Sequence, residues 1–162
     1  MKKMNFYGVG PKIGRILIPW WIITIILSFT SVDFRFFYVR SSILTIVGAV
    51  FLVCGLIFYF TSVKFLLKGL KEGKLVTKGT FFLCQNPLYV SFVLMLIPAV
   101  GLLLNSWLVL TTCIVGFILM KLYIGNEYRM LKEVFGDEYI RYKAETPEFF
   151  PFPAKKWFKS KC

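Results

Sequence analysis

LVTKGTFFLCQNPLYV, Leu75 to Val90, opens the stretch of sequence that decides the fold. It runs into a long apolar segment, and no charged side chain occurs between residues 79 and 120. At a helical rise of about 1.5 Å per residue this segment is on the order of 60 Å long, twice the hydrocarbon thickness of a bilayer. It therefore predicts two membrane spans, Leu88 to Leu104 and Trp107 to Ile124, joined by a tight turn at 105–106.

NEYRMLKEVFGDEYIRYKAETPEFFPF, Asn126 to Phe152, closes the same region. The pattern predicts that the last span leaves the membrane as a helix, that Gly136 caps this helix, and that Asp137 to Glu145 forms a second short helix. Glu127 lies near the predicted membrane boundary among aromatic and apolar residues. An acidic group in such a place is a candidate functional residue, because its charge is costly there.

Two further spans are predicted upstream, Ile16 to Val32 and Ile43 to Val63. Gly48 and Gly55 in the second of them either allow close helix packing or face lipid. The segment Lys64 to Lys78 is rich in lysine, and it is either a short surface helix that continues the span or a plain cytosolic loop. The prediction is an all-α integral membrane protein with four transmembrane helices.

The composition supports a membrane protein and excludes several kinds of site. The chain is 57% hydrophobic, and its mean hydropathy is +0.70, well above that of a soluble domain. It contains no histidine, which excludes Ser-His and Cys-His catalysis and metal sites built on histidine. Four cysteines are present without a CxxC motif, so no metal site is predicted.

The net charge of +12 lies mainly in the polar segments beside the apolar runs. Basic residues in those places contact anionic headgroups and mark the cytosolic side, so a membrane lipid is a predicted partner and nucleic acid is not. An even number of spans puts both termini in the cytosol. The chain is predicted to be one membrane domain, 1–162, with a cytosolic helical C-terminal segment, 125–162. Headgroup contact is predicted for the basic tail, Lys155, Lys156, Lys159 and Lys161.

Two motifs at the ends of the decisive region resemble a known family. LVTKG followed by NPLY, then a hydrophobic hairpin, then E-x-x-x-L-x-x-x-F-G-x-x-Y-x-x-Y, is similar to the isoprenylcysteine carboxyl methyltransferases and the related phospholipid methyltransferases. The family pattern is roughly LVTxGxYxxxRHPxY at the first end and EExxLxxxFGxxYxxYxxxVPxxxP at the second. The residues that match in spacing are Leu75, Val76, Thr77, Gly79, Pro87, Tyr89, Glu127, Leu131, Phe135, Gly136, Tyr139, Tyr142, Pro147 and Pro151.

The resemblance implies an enzyme of the membrane that uses S-adenosyl-L-methionine and methylates a lipophilic acceptor. The acceptor would be a prenylcysteine-like carboxylate or another small lipid-like molecule, arriving from the bilayer. Glu127 would hold a polar group of the cofactor, and Tyr139 and Tyr142 would close the pocket. The cofactor-binding residues implied by position are Leu75, Val76, Gly79, Asn86, Pro87, Tyr89, Glu127, Tyr139 and Tyr142.

Glu127, Tyr128 and Gln85 are the candidate catalytic residues that the resemblance implies. Methyl transfer from a sulfonium to a carboxylate needs alignment and exclusion of water more than a base. The chain departs from the family pattern at three places. Gln85 and Asn86 replace the Arg-His pair, Tyr128 replaces the second glutamate, and Tyr123 stands where a basic residue is often found.

Two other functions remain open from the sequence. The first is an NADPH-dependent membrane reductase, because sterol-reductase-like proteins have a similar tyrosine-rich ending. The scarcity of polar side chains between Gly79 and Met120 counts against it. The second is a non-catalytic membrane protein that retains the family fold, which the replaced charges favour. The oligomeric state is not predicted.

Overall fold

The structure is a computed structural model in which residues 10–37 and 41–149 are described. These residues form helices joined by short connections, and no strand occurs among them. The predicted all-α class is therefore confirmed. The predictions made for Pro151 and for the basic tail fall outside the described residues.

Six α-helices follow one another in the described part of the chain. They are α1 (Gly10–Thr30), α2 (Ser42–Glu72), α3 (Thr80–Leu83), α4 (Pro87–Tyr89), α5 (Ile97–Leu103) and α6 (Trp107–Glu145). A 3-10 turn, Val32–Phe34, follows α1, and a π-helical stretch, Val90–Leu96, connects α4 directly to α5. Pro87–Leu103 is thus one continuous helix, which we call the short helix.

Within residues 10–37 and 41–149, three helices are long and apolar enough to cross a membrane, namely α1, α2 and α6. The structure therefore supports a multi-pass membrane protein. Each of the three extends beyond its predicted span, because the helix continues into the neighbouring polar residues. α1 begins at Gly10 rather than Ile16, α2 continues to Glu72 and α6 to Glu145. The interpretation of the lysine-rich segment as a helix is confirmed as far as Glu72.

The predicted span Leu88 to Leu104 corresponds to the short helix, and the count of four spans is not confirmed. At about 1.5 Å per residue the short helix is about 25 Å long, less than the roughly 30 Å of a hydrocarbon core. Its ends are fixed by local chemistry. Pro87 stands at its first position, and Asn105 follows its last turn with φ 54°. The N–H of Ser106 donates to the carbonyl of Gly101 at 2.8 Å, which closes the helix.

Small residues let α2 approach the short helix closely. A Cβ atom at Gly55 would lie 2.9 Å from Cδ2 of Leu96 and 3.0 Å from Cβ of Met95, and one at Gly48 would lie 3.0 Å from Cγ of Leu103. Of the two roles open for these glycines, close packing is the one that the structure shows. The buried residues of α2 recur every seven positions: Gly48, Gly55, Ser62 and Gly69.

Paired hydroxyl groups join α1 to α6 within the apolar bundle. The hydroxyls of Thr24 and Thr112 are 3.2 Å apart, and those of Ser28 and Ser106 are 2.7 Å apart. All four side chains are buried. In a bilayer such pairs satisfy polar atoms that water cannot reach and hold two helices in register.

Gly136 breaks α6 with φ 52° and ψ −125°, a backbone conformation that only glycine adopts without strain. The sequence predicted a helix end at this residue and a second helix after it, and the break is confirmed. The residues after Gly136 fold against the start of the short helix, where the N–H of Gln85 donates to the carbonyl of Pro147 at 2.9 Å.

We predict that Gly55→Leu lowers the stability of the folded protein by about 1–3 kcal/mol, because the added side chain overpacks the contact with the short helix. Gly125→Leu makes the same change at a position where a Cβ meets no atom within 4 Å, and we expect it to have little effect. Thermal unfolding in detergent compares the two. Equal melting temperatures for both variants would contradict the packing assigned to Gly55.

Candidate functional site

Polar side chains collect at one end of the bundle, where the short helix begins and the second part of α6 folds back. Asn86 precedes the first residue of the short helix, but its side chain makes no capping bond. Its amide Nδ2 instead donates to the hydroxyl of Tyr128 at 2.6 Å and to the carbonyl of Glu148 at 3.1 Å. Asn86 is buried, so its amide joins two distant parts of the chain.

Glu148 also belongs to this group of polar side chains, which we call the polar cluster. Its members are Asn86, Tyr128, Glu148 and Lys121. The carboxylate of Glu148 accepts a hydrogen bond from the hydroxyl of Tyr128 at 3.2 Å. It also forms an ion pair with Lys121 at 2.6 Å. The Nζ atom of Lys121 lies 4.6 Å from the ring centroid of Phe149, whose side chain is buried. The end of the described chain is thereby held against α6.

Gln85 and Tyr142 tie the segment after Gly136 to the connection before the short helix. The amide Nε2 of Gln85 donates to the carbonyl of Thr146 at 2.6 Å. The hydroxyl of Tyr142 donates to the carbonyl of Phe81 at 2.6 Å. Both contacts use backbone acceptors near helix ends, where carbonyls have no partner within the helix. In the structure these two predicted site residues make contacts that hold the chain together.

Tyr89 and Glu127 meet in the wall of a cavity. The hydroxyl of Tyr89 donates to Oε2 of Glu127 at 3.2 Å. The cavity, of about 380 Å³, lies between α1, α2, the short helix and α6. The described residues that line it are apolar apart from the side chains of Tyr59, Tyr89 and Glu127. We call it the Glu127 cavity.

The π-helical stretch contributes two side chains to the Glu127 cavity, Phe92 and Val93. The N–H of Ile97 donates to the carbonyl of Phe92, five residues earlier, as a π-helix requires. A π-turn re-aims the side chains that follow it and often occurs at functional sites. Pro98, which has no N–H to donate, is the second residue after this stretch.

Tyr139 and Tyr142, both after Gly136, are buried. Burial, together with the charges of Glu127 and Glu148, raises the pKa of Tyr139 to about 12. Burial also raises the pKa of Tyr142. Both phenols therefore keep their protons at neutral pH. The hydroxyl of Tyr139 is buried and has no hydrogen-bond partner among the described residues.

The structure brings some of the predicted site residues together and leaves others apart. The polar cluster contains Asn86 and Tyr128. The Glu127 cavity is lined by Tyr89 and Glu127. Pro87 is buried beside Asn86.

Leu75, Val76 and Gly79 lie in the connection between α2 and α3, and none of them lines the Glu127 cavity. A Cβ atom at Gly69 would overlap the side chain of Val76, and one at Gly79 would overlap the ring of Phe65. Both glycines therefore allow this connection to pack against α2. The cofactor and catalytic roles of all the predicted site residues stay predictions.

Two residues of the cluster were not among the predicted site residues. Lys121 stands at the end of the uncharged run, and Glu148 is the acidic residue in the TPEFF segment. Each is a single charge beside apolar sequence, which is the signal that could have marked them. Their pairing depends on the fold of the chain at Gly136, which brings together residues 27 positions apart.

The sequence matches no family model, and no solved structure matches it. A search of curated proteins finds similarity to the cobalt-zinc-cadmium resistance protein CzcN of Cupriavidus metallidurans. The two sequences are 36% identical over 86 residues, which is 52% of this chain and 39% of the relative. This chain thus matches well under half of the relative's length.

These comparisons correct the prediction drawn from the two sequence motifs. The relative is named for resistance to metals, and no family model supports a methyltransferase. The assignment to the isoprenylcysteine carboxyl methyltransferase family, and the methyl transfer that it implied, are therefore wrong. Two of the motif residues have a structural role. Gly136 adopts the backbone conformation that breaks α6, and the hydroxyl of Tyr142 donates a hydrogen bond to the carbonyl of Phe81.

We predict that Asn86→Ala destabilises the protein by about 1–3 kcal/mol, because it removes a buried amide and leaves its two partners without that donor. Amide hydrogen exchange in residues 146–149 should also become faster, since Asn86 holds the carbonyl of Glu148. Asn126→Ala, the same change at an exposed position, is the matched control. Unchanged exchange in the Asn86 variant would show that its amide does not hold this segment.

Proposed function

We propose that this chain is a multi-pass membrane protein that takes part in resistance to cobalt, zinc or cadmium ions, and that it binds a lipophilic small molecule in the Glu127 cavity. The similarity to CzcN over 86 residues supports the first part. The geometry of the cavity supports the second part and is the observation on which it depends.

The cavity has the features of a site for a small amphipathic molecule. It lies among membrane helices, and side chains such as Leu17, Phe92 and Leu131 give it an apolar wall. Glu127 and Tyr89 are paired at one side and offer a carboxylate and a phenol to a polar group. Pockets for small molecules combine an apolar lining with a few polar groups in this way. A lipophilic molecule could enter from the surrounding bilayer.

Metal ions themselves have a different requirement. Sites for cobalt, zinc or cadmium are built from several nitrogen, sulfur or oxygen ligands within one coordination sphere. No group of three or more such side chains that could hold a metal ion occurs among residues 10–37 and 41–149. We assign the Glu127 cavity to a lipophilic occupant because of its apolar lining.

We also propose four membrane crossings with both termini in the cytosol, the short helix being one of the four. The Glu127 cavity would then lie at the cytosolic end of the bundle. The beginning of α1, the end of α2 and the beginning of the short helix all line it. Basic residues in the same region, among them Lys12, Arg15 and Lys64, agree with that side under the positive-inside rule.

We predict that a membrane-impermeant maleimide leaves Cys162 unlabelled in intact cells and labels it once the cells are permeabilised. The test uses a chain in which the other cysteines, Cys54, Cys84 and Cys113, are replaced by serine. A cytosolic protein with an accessible cysteine provides the control for cell integrity, because an impermeant maleimide labels it only after permeabilisation. Labelling of Cys162 in intact cells would contradict the cytosolic placement of the C-terminus.

We predict that the chain raises the tolerance of a metal-sensitive bacterium to cobalt, zinc or cadmium salts, and that Gly14→Leu abolishes this effect. Gly14 lines the cavity, and a Cβ there meets only the Cδ1 atom of Ile18, at 3.6 Å. The leucine therefore fills the cavity without forcing the helices apart. Gly125→Leu adds the same side chain where no atom lies within 4 Å, and it should retain full tolerance.

Binding measurements on the purified protein test the second part of the proposed function, the lipophilic occupant of the cavity, separately from the first. A fluorescent lipophilic amphiphile should bind the wild-type chain and the Gly125 variant, and should fail to bind the Gly14 variant. S-adenosyl-L-methionine is titrated in parallel, because the sequence predicts it as the cofactor of an enzyme. No gain in tolerance to any of the three metals would refute the role in resistance. Equal binding of the amphiphile by all three proteins would refute the cavity as its site.

A further inference from the structure

A second cavity, separate from the Glu127 cavity, lies at the break in α6. Its volume is about 460 Å³. Three cationic and two phenolic side chains stand in its wall with one isoleucine. The lining residues are Tyr128, Arg129, Lys132, Tyr139, Ile140 and Lys143. The described residues that line it include no carboxylate.

Gly136 creates this cavity. Arg129 and Lys132 lie on the part of α6 before the glycine, and Lys143 lies on the part after it. The turn folds the second part back until the Nζ atom of Lys143 is 4.4 Å from the ring centroid of Tyr128. A straight helix of the same sequence would separate Arg129 from Lys143 by about 20 Å along its axis. The three cations converge because the helix is broken.

Tyr139 is a second and independent sign of a ligand. Only 2% of its surface is exposed, and its hydroxyl has no hydrogen-bond partner among the described residues. A buried hydroxyl without a partner is costly, and such a group in a folded protein calls for an explanation. As a protonated phenol it can donate a hydrogen bond to an acceptor that enters the cavity.

We propose that this basic cavity is a binding site for a phosphate group, held by Arg129, Lys132 and Lys143 with the hydroxyl of Tyr139 as a further donor. Guanidinium and ammonium groups form strong charge-assisted hydrogen bonds with phosphate oxygens. The site follows the last membrane span, where the headgroups of anionic lipids are within reach. The phosphate belongs either to such a lipid or to a small soluble molecule.

The test measures phosphate binding by the purified full chain in an uncharged detergent. The probes are inorganic phosphate, mixed micelles containing phosphatidylglycerol, and mixed micelles containing phosphatidylcholine as the zwitterionic comparison. Thermal shift and calorimetry follow each titration. Binding of phosphatidylglycerol alone would identify a lipid headgroup. Binding of inorganic phosphate alone would identify a soluble source, and binding of both would show that the phosphate group itself is recognised.

The double variant Arg129→Gln/Lys132→Gln should bind the successful probe about tenfold more weakly for each cation removed. Lys68→Gln/Lys71→Gln removes two exposed cations from α2, outside the cavity, and should bind as the wild type does. Circular dichroism and the melting temperature without ligand check that each variant is folded. If the double variant does not fold, Lys143→Gln provides the same comparison from the other side of the cavity.

Two results would overturn the phosphate site. One is the failure of the wild-type chain to bind inorganic phosphate or phosphatidylglycerol in preference to phosphatidylcholine. The other is an equal loss of affinity in the cavity variant and in the α2 variant, which would show a general effect of charge. Tyr139→Phe adds a readout that net charge does not influence, since it removes one hydrogen-bond donor and should weaken binding with the charge unchanged.

Discussion

The backbone conformation of Gly136 is the constraint on which the polar end of this protein depends. At φ 52° and ψ −125° the chain leaves the axis of α6, which residues with a side chain would resist. The turn brings Tyr142 to the carbonyl of Phe81 and Glu148 to Lys121. Without it, the last residues of α6 would continue away from the bundle. The polar cluster and the basic cavity would then not form.

The membrane part of the protein follows a different physical rule. In lipid there is little hydrophobic force between helices, so close packing and buried hydrogen bonds must hold them together. The recurrence of small residues on α2 supplies the packing against the short helix. The hydroxyl pairs between α1 and α6 supply the hydrogen bonds, as between Ser28 and Ser106. Large apolar side chains such as Phe29 and Ile43 are left exposed on the outside, where lipid covers them.

The two cavities have opposite chemical character, although both are lined by α6. The Glu127 cavity is apolar and carries one carboxylate, whereas the basic cavity carries three cations. Tyr128 and Glu127 are neighbours in sequence, but they line different cavities because successive residues of a helix point in different directions. This chain has Tyr128 at the position where the family pattern has a second glutamate. The hydroxyl of Tyr128 accepts a hydrogen bond from Asn86 and donates one to Glu148.

The sequence by itself determined the helical class, the apolar segments, the turn at Asn105 and the break at Gly136. These features depend on local composition and on backbone preferences that single residues carry. It also singled out Glu127, because a lone charge near an apolar run is conspicuous. Tertiary structure decided the pairing of Asn86 with Tyr128 and the gathering of Arg129 and Lys143 around one cavity. These depend on contacts between residues far apart in the chain, and no local pattern encodes which of them will meet.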